Sequence, residues 1–281
     1  MRRKGLRIAT IVMLTAVLLL QRMPLPSFCK DAMPAFADET DLVVQVHSNQ
    51  PAEELLVEVL KSENEAEQMA PRRILIYHTH TYEAYQQDEK DAYAQLEKWR
   101  TKDEKHNVIA VGRALCAGLE AIGFEVTHDT TAFEPPTMND AYARSLTMLE
   151  ARKQAGEQYD LYIDLHRDAI ASSSAIKRTV SVGGTEIARF MVLIGQGTTG
   201  GYAEKPDWLM NKRIADQITA SLNTQIDGLA RDVKVKTGRF NQHVDDCCVL
   251  IECGTNWNTL QEVLNGIPYL AQAIKDALAA Q

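Results

Sequence analysis

A chain of 281 residues is too long for a disulfide-stapled miniprotein and has the length of one or two ordinary domains. Hydrophobic residues make up 45% and charged residues 24%, the balance of a globular chain rather than a disordered or collagen-like one. A net charge of -8 repels a phosphate backbone, so nucleic acid is not an expected partner, and five cysteines cannot all pair within one chain.

At the N-terminus Arg2, Arg3, Lys4 and Arg7 precede an uncharged run of 13 residues, Ile8 to Leu20. The run fits the apolar core of a signal peptide, about 7–15 residues, and is shorter than the roughly 17–25 residues of a spanning helix. Arg7 and Arg22 can reach the headgroups and let a short helix serve as an uncleaved anchor, whereas Ala35-Phe36-Ala37 offers a cleavage site after a long spacer. The anchor is the preferred reading. Residues 1–28 are then a signal-anchor whose basic cluster stays cytoplasmic, with the rest of the chain outside a cell membrane crossed once. Residues 29–70 read as an acidic linker or stalk, in which Lys61 is the one Lys or Arg between Asp38 and Pro71.

Beyond Pro71 the composition changes. Compact apolar runs at Arg73 to Tyr77, Leu161 to Leu165, Phe190 to Ile194 and Val249 to Ile251 predict buried strands, and Phe124 to Thr127 predicts another. Helical spacing predicts helices over Asn107 to Ile122, Asn139 to Gln154, Trp208 to Leu229 and Asn258 to Ala280. Gly123 suits the end of the first, and Asn258 or Thr259 the start of the last. Gly183-Gly184 and Gly195-Gln196-Gly197 read as turns, without phosphate-loop or dinucleotide spacing. Strands alternating with helices imply one α/β domain over residues 71–281, with a largely parallel sheet flanked by helices.

Open α/β sheets carry their sites beyond the carboxyl ends of their strands. Three polar clusters follow three of the expected strands: His78-Thr79-His80-Thr81-Tyr82-Glu83, Asp164-Leu165-His166-Arg167-Asp168 and Glu252-Cys253-Gly254-Thr255-Asn256. His80 and Glu83 have H-x-x-E spacing, and His166 supplies a third donor, a set that hydrolytic zinc sites use with one position left open for water. Glu252 ends an apolar strand with no neighbouring cation in sequence, which suits a general base. Zinc would acidify its water and polarise a scissile carbonyl, while Glu252 moves the proton to the leaving amine. His78 has strand spacing to His80, so it can replace His80 as ligand, orient it or contact substrate. Cys247, Cys248 and Cys253 lack C-x-x-C spacing and read as small buried thiols.

ILIYHTHTYEAY from Ile74, NVIAVGRALCAGLEAIGFEVTHD from Asn107, DLHRDA from Asp164, RFNQH from Arg239 and LIECGTNWNTLQEV from Leu250 resemble, in order, the stage II sporulation protein P family. The resemblance implies a membrane-anchored, zinc-dependent peptidoglycan hydrolase related to N-acetylmuramoyl-L-alanine amidases, which strips stem peptides from septal wall during engulfment in spore formation and is also credited with cleaving cross-links. It implies the stage II sporulation proteins D and M as partners, a zinc-amidase-like fold, and an outward-facing domain in the septal space. By motif, the metal would fall on His80, Glu83 and His166 and the catalytic role on Glu252. His78, Arg167 and Asn256 would support them or contact substrate, and Glu104, at the start of the first helix, rivals Glu83 as the carboxylate ligand. Cys253 and Trp257 depart from the family pattern, which more usually has Val and a Gly or Ser there. A zinc carboxypeptidase or other metallopeptidase acting on wall peptides shares the same donor set, and a non-catalytic wall-binding scaffold would be a chain whose site has decayed, whereas all four proposed groups are intact here.

Overall fold

The computed structural model describes residues 71–281. The signal-anchor expected at 1–28 and the stalk expected at 29–70 lie outside the described residues. In chain order the elements are β1 (Arg73–Tyr77), α1 (Val108–Ala121), β2 (Glu125–His128), α2 (Ala141–Gln154), β3 (Leu161–Asp168), β4 (Thr179–Val182), β5 (Thr185–Ala188), β6 (Phe190–Gly195), α3 (Trp208–Gln225), β7 (Lys234–Lys236), β8 (Cys248–Thr255), α4 (Leu260–Leu264) and α5 (Ile267–Ala279). Among the described residues no helix is long and apolar enough to cross a membrane.

Six strands form the main sheet in the order β2-β1-β3-β8-β6-β7. The neighbours from β2 to β8 pair in parallel; β6 joins β8 antiparallel, and β7 follows β6 in parallel. A largely parallel sheet was the expectation; the one antiparallel junction joins β6 to β8 and sets Met191 opposite Glu252. The inner strands β1, β3, β8 and β6 are buried and largely apolar because helices cover both faces, whereas the edge strands β2 and β7 are polar. Ile74, Ile76, Leu161, Ile163, Leu165, Val249 and Ile251 pack in one core with α1, α3 and α5. Leu75, Tyr77, Tyr162 and Cys248 pack with Leu149 of α2 on the other face. The sheet therefore has an α1 face and an α2 face, with alternate residues on each.

Local chemistry sets the ends. Asn107 caps α1 by accepting from the Ile109 N–H, and Asp207 caps α3 by accepting from Met210 N–H. Thr259 and Glu262 form a reciprocal capping box on α4. The single helix expected from Asn258 to Ala280 is two, because Pro268 lacks the N–H a helix interior needs and instead sits in the first turn of α5. The helix expected to reach Leu229 stops at Gln225, where Ile226 turns extended. The expected start at Asn139 lies in a 3-10 turn, Met138–Asp140, ahead of α2. Gly183-Gly184 is a turn as expected, and it closes the β4–β5 hairpin, which together with β7 is too short to announce itself in the sequence.

Candidate active site

Asp164 and His166 lie on the α2 face of β3, in alternation with Leu161, Ile163 and Leu165 on the other. Glu252 stands opposite His166 in parallel register, on the same face of β8. Just beyond this pair the register shifts. Asp168 pairs with Thr255, so Cys253 and Gly254 oppose Arg167 alone. Gly254 takes φ +70, where a side chain would strain the backbone, and an added Cβ would lie 2.9 Å from Val263. The bulge ends regular pairing at the edge of the polar cluster.

His80 arrives from β1. The chain leaves that strand after Tyr77 and turns, with the Glu83 N–H donating to the His80 carbonyl at 3.2 Å. Its ring packs edge-on against that of His166, centroids 5.4 Å apart, and against Tyr142 of α2 at 5.6 Å. Glu83 Oε2 lies 3.4 Å from His166 Nδ1 and accepts the Arg167 N–H at 3.1 Å. His166 Nε2 lies 2.8 Å from Asp164 Oδ1. Asp164 is itself fixed by Thr79, whose N–H and hydroxyl donate to its two oxygens at 2.8 and 2.7 Å.

The electrostatics follow from burial and charge. Burial alone would lower the pKa of His166, but Asp164 and Glu83 outweigh it and raise the imidazole well above its ordinary value. Burial would raise Glu83, yet His166 and Arg167 bring it down to about 2. Glu252 goes the other way: burial, with Glu83 and Asp168 as like charges, pushes it up to about 8 against the pull of His166 and Arg231. Two carboxylates of one site thus titrate far apart, the pattern of an acid–base group beside an ionised ligand or anchor. A cation does stand near Glu252, which its own strand does not reveal. Arg231 nevertheless commits Nη2 to Asp168 at 2.7 Å, and Glu252 Oε2 is buried without a hydrogen-bond partner.

Glu134 is a member that sequence reasoning missed. It is 4% exposed, with Oε1 3.2 Å from His80 Nδ1 and Oε2 2.5 Å from Arg100 Nη2. Its loop has no hydrophobic period, and nothing in Phe133-Glu134-Pro135-Pro136 signals a partner 54 positions away.

The other candidates are placed plainly. His78 continues the alternation of Ile74 and Ile76 onto the α1 face, fully buried. Its Nδ1 lies 2.9 Å from the Leu165 carbonyl and its Nε2 2.8 Å from His128 Nε2, so neither nitrogen is free for a metal or substrate. The strand spacing to His80 fails because the backbone turns between them. Arg167 is buried and donates to the Ala84 and Trp99 carbonyls, 3.9 Å from Glu83 Oε1; it buttresses Glu83 rather than facing outward. Asn256 is buried and accepts from the Ile170 N–H, tying the ends of β8 and β3 together. Glu104 is half-exposed and pairs with Arg113 at 3.0 Å, while Glu83 stands beside His166. Cys248 and Cys253 are buried free thiols.

Among the described residues no three His, Cys, Asp or Glu side chains form a ready metal cage. The donor atoms nonetheless fit a cation. The His80 and His166 rings meet edge-on with Glu83 Oε2 3.4 Å from His166 Nδ1, while Glu134 lies against His80 Nδ1 and Asp164 against His166 Nε2, and Glu252 Oε2 is buried beside them with no hydrogen-bond partner. Polar atoms crowded together yet not aimed at one another are what a shared ligand would satisfy.

The family model for stage II sporulation protein P matches residues 31–275. No curated protein matches the chain. Among solved structures, the CwlD amidase from Clostridioides difficile, in complex with the GerS lipoprotein, is 17% identical with a TM-score of 0.46, covering 75% of this chain and 100% of that one. The N-acetylmuramoyl-L-alanine amidase AmiC2 of Nostoc punctiforme is 13% identical with a TM-score of 0.43, covering 74% and 96%. Cwp6 from Clostridium difficile is 15% identical with a TM-score of 0.45, and the match covers 74% of this chain and 29% of that one.

Proposed function

The chain belongs to the stage II sporulation protein P family, and from that premise we propose that it is a zinc-dependent N-acetylmuramoyl-L-alanine amidase that removes stem peptides from peptidoglycan. The observation that carries the reading is the meeting of His80, Glu83, His166 and Glu252 at the carboxyl ends of three neighbouring strands. His80, Glu83 and His166 would hold zinc, which when bound supplies Lewis-acid polarisation of the scissile carbonyl. Asp164 orients His166 from behind, and Glu134 does the same for His80. Glu252 takes a proton from the attacking water and returns it to the amine of the departing stem peptide, leaving the lactyl group as carboxylate. Its unpartnered Oε2 is the atom for that transfer.

We place the domain outside the cell, tethered by the segment 1–28, at the septal wall during engulfment, with the stage II sporulation proteins D and M as partners and cross-link cleavage as a second activity. The test is digestion of purified sacculi by the full chain with and without a chelator. Released stem peptides and free glycan chains support the amidase. Trimmed peptides on intact glycan would indicate the carboxypeptidase, and no soluble product a scaffold.

A further inference from the structure

Two indoles and two cations meet beside the site. Trp99 lies in the loop between β1 and α1, Trp257 just past β8, and their ring centroids are 4.6 Å apart at an interplanar angle of 69°. Lys98 Nζ stands 4.1 Å from the Trp99 centroid and 5.0 Å from that of Trp257, and the Arg178 guanidinium 5.5 Å from Trp257. Both indoles are half-buried and neither joins a core cluster.

The pair is built rather than incidental. Trp99 has φ 60, the left-handed region that bulky side chains avoid. The surroundings hold it there: its carbonyl accepts from Ala84 N–H at 2.8 Å and Arg167 Nη2 at 3.2 Å, and its Nε1 donates to Gln86 Oε1 at 3.0 Å. Trp257 Nε1 donates to the Ile170 carbonyl at 3.1 Å. With both indole N–H groups satisfied, what the rings still offer is π surface. The anchors lead straight back to the site, since Ala84 follows Glu83, Arg167 follows His166, and Arg100, next to Trp99, holds Glu134.

Indole faces are electron-rich and attract the polarised C–H face of a sugar ring. Two cations gathered in a chain of net charge -8 select a partner that also carries carboxylates. We propose that Trp99 and Trp257 form a glycan-strand subsite, in which an N-acetylated sugar packs on the indoles while Lys98 and Arg178 face the carboxylates of its stem peptide. This rests on the amidase reading for its substrate.

The test follows tryptophan emission of the full chain, whose third indole is Trp208, in the Glu252→Gln background so that no product forms. The probes are a β-1,4-linked N-acetylglucosamine tetramer, a disaccharide–tripeptide and the tripeptide alone. The tetramer is expected to give a saturable change that Trp208→Phe preserves and Trp257→Ala weakens about 10-fold or more. Lys98→Ala should weaken the disaccharide–tripeptide several-fold more than the neutral tetramer. No saturable response to either saccharide, unaltered affinity in Trp257→Ala, or an equal response to the tripeptide alone would overturn the subsite. Binding is read apart from hydrolysis, so a wild-type chain that binds the tetramer but releases no stem peptides from sacculi would sink the amidase reading and keep the subsite.

Discussion

Glu252 and His166 stand side by side in register on adjacent parallel strands, one carboxyl pushed up to about 8 and one imidazole raised well above its ordinary value. The two shifts have different origins. Both groups are buried, but His166 has Asp164 and Glu83 as counter-charges, whereas Glu252 shares Glu83 and Asp168 as like charges.

That asymmetry makes Glu252 a stability liability in the metal-free chain. Its carboxyl titrates at about 8 folded against 4.5 as an ordinary group, so between those values the folded state keeps a proton that the unfolded state releases. Stability contributed by the neutral acid is present at low pH and lost as pH rises through that window. Glu252→Gln should therefore be more stable than the parent by roughly a few kcal/mol at about pH 8.5 and indistinguishable at about pH 4. Urea unfolding of chelated protein at both pH values checks this; equal stabilities at the higher pH would remove the claim that Glu252 is buried against its charge.

Glu134→Gln removes the charge beside His80 Nδ1 and loosens the hold of Arg100. Groups that orient a metal-ligating histidine typically matter about 10–100-fold in metal affinity or activity. The variant should lose zinc affinity within that range while its unfolding transition shifts little. Zinc competition against a chromogenic chelator reads it, and unchanged affinity would show that Glu134 does not position His80.

An added methyl at Gly112 in α1 would lie 2.6 Å from His128 Nε2 and 2.7 Å from His78 Nε2. Alanine gains about 1 kcal/mol of helix propensity over glycine, but overpacking the buried His78 ring and the half-buried His128 ring costs about 1–3 kcal/mol and also disturbs their hydrogen bond. Gly112→Ala should lower the unfolding midpoint. A raised midpoint would mean that the two rings move aside freely.

The same ring pair sets the acid side of the stability profile. Burial, then the neighbouring His128, lowers His78 to about 3; burial, then Arg113, lowers His128 to about 4. An unfolded histidine binds its proton near 6.5. Stability is complete above that value and falls as pH drops toward about 4, because the unfolded chain takes up protons that the folded one refuses. His128→Gln keeps a polar partner for His78 and should give a shallower fall between about pH 7 and 5. A uniform loss of stability with an unchanged slope would contradict the assignment.

The sequence carried β1, β3 and β8 because strands buried on both faces read as unbroken apolar runs, and it carried His166 and Glu252 because they interrupt those runs with charge near the strand ends. It did not carry Glu134 or Arg231, whose places depend on loop paths without periodicity. His78 was misplaced for a related reason: period-2 spacing holds while the backbone is a strand, and His80 lies past the point where it turns. Trp99 and Trp257 were legible as residues but not as a pair, since 158 positions separate them.

The most direct measurement is zinc content and sacculus turnover on the same samples of wild type, His166→Ala and Glu252→Gln. Wild type and Glu252→Gln should each hold zinc, His166→Ala should not, and wild type alone should release stem peptides, with Glu252→Gln reduced about 100-fold or more as expected for loss of an acid–base group. Loss of zinc from Glu252→Gln, or wild-type turnover by the chelated chain, would contradict the assignment of these residues.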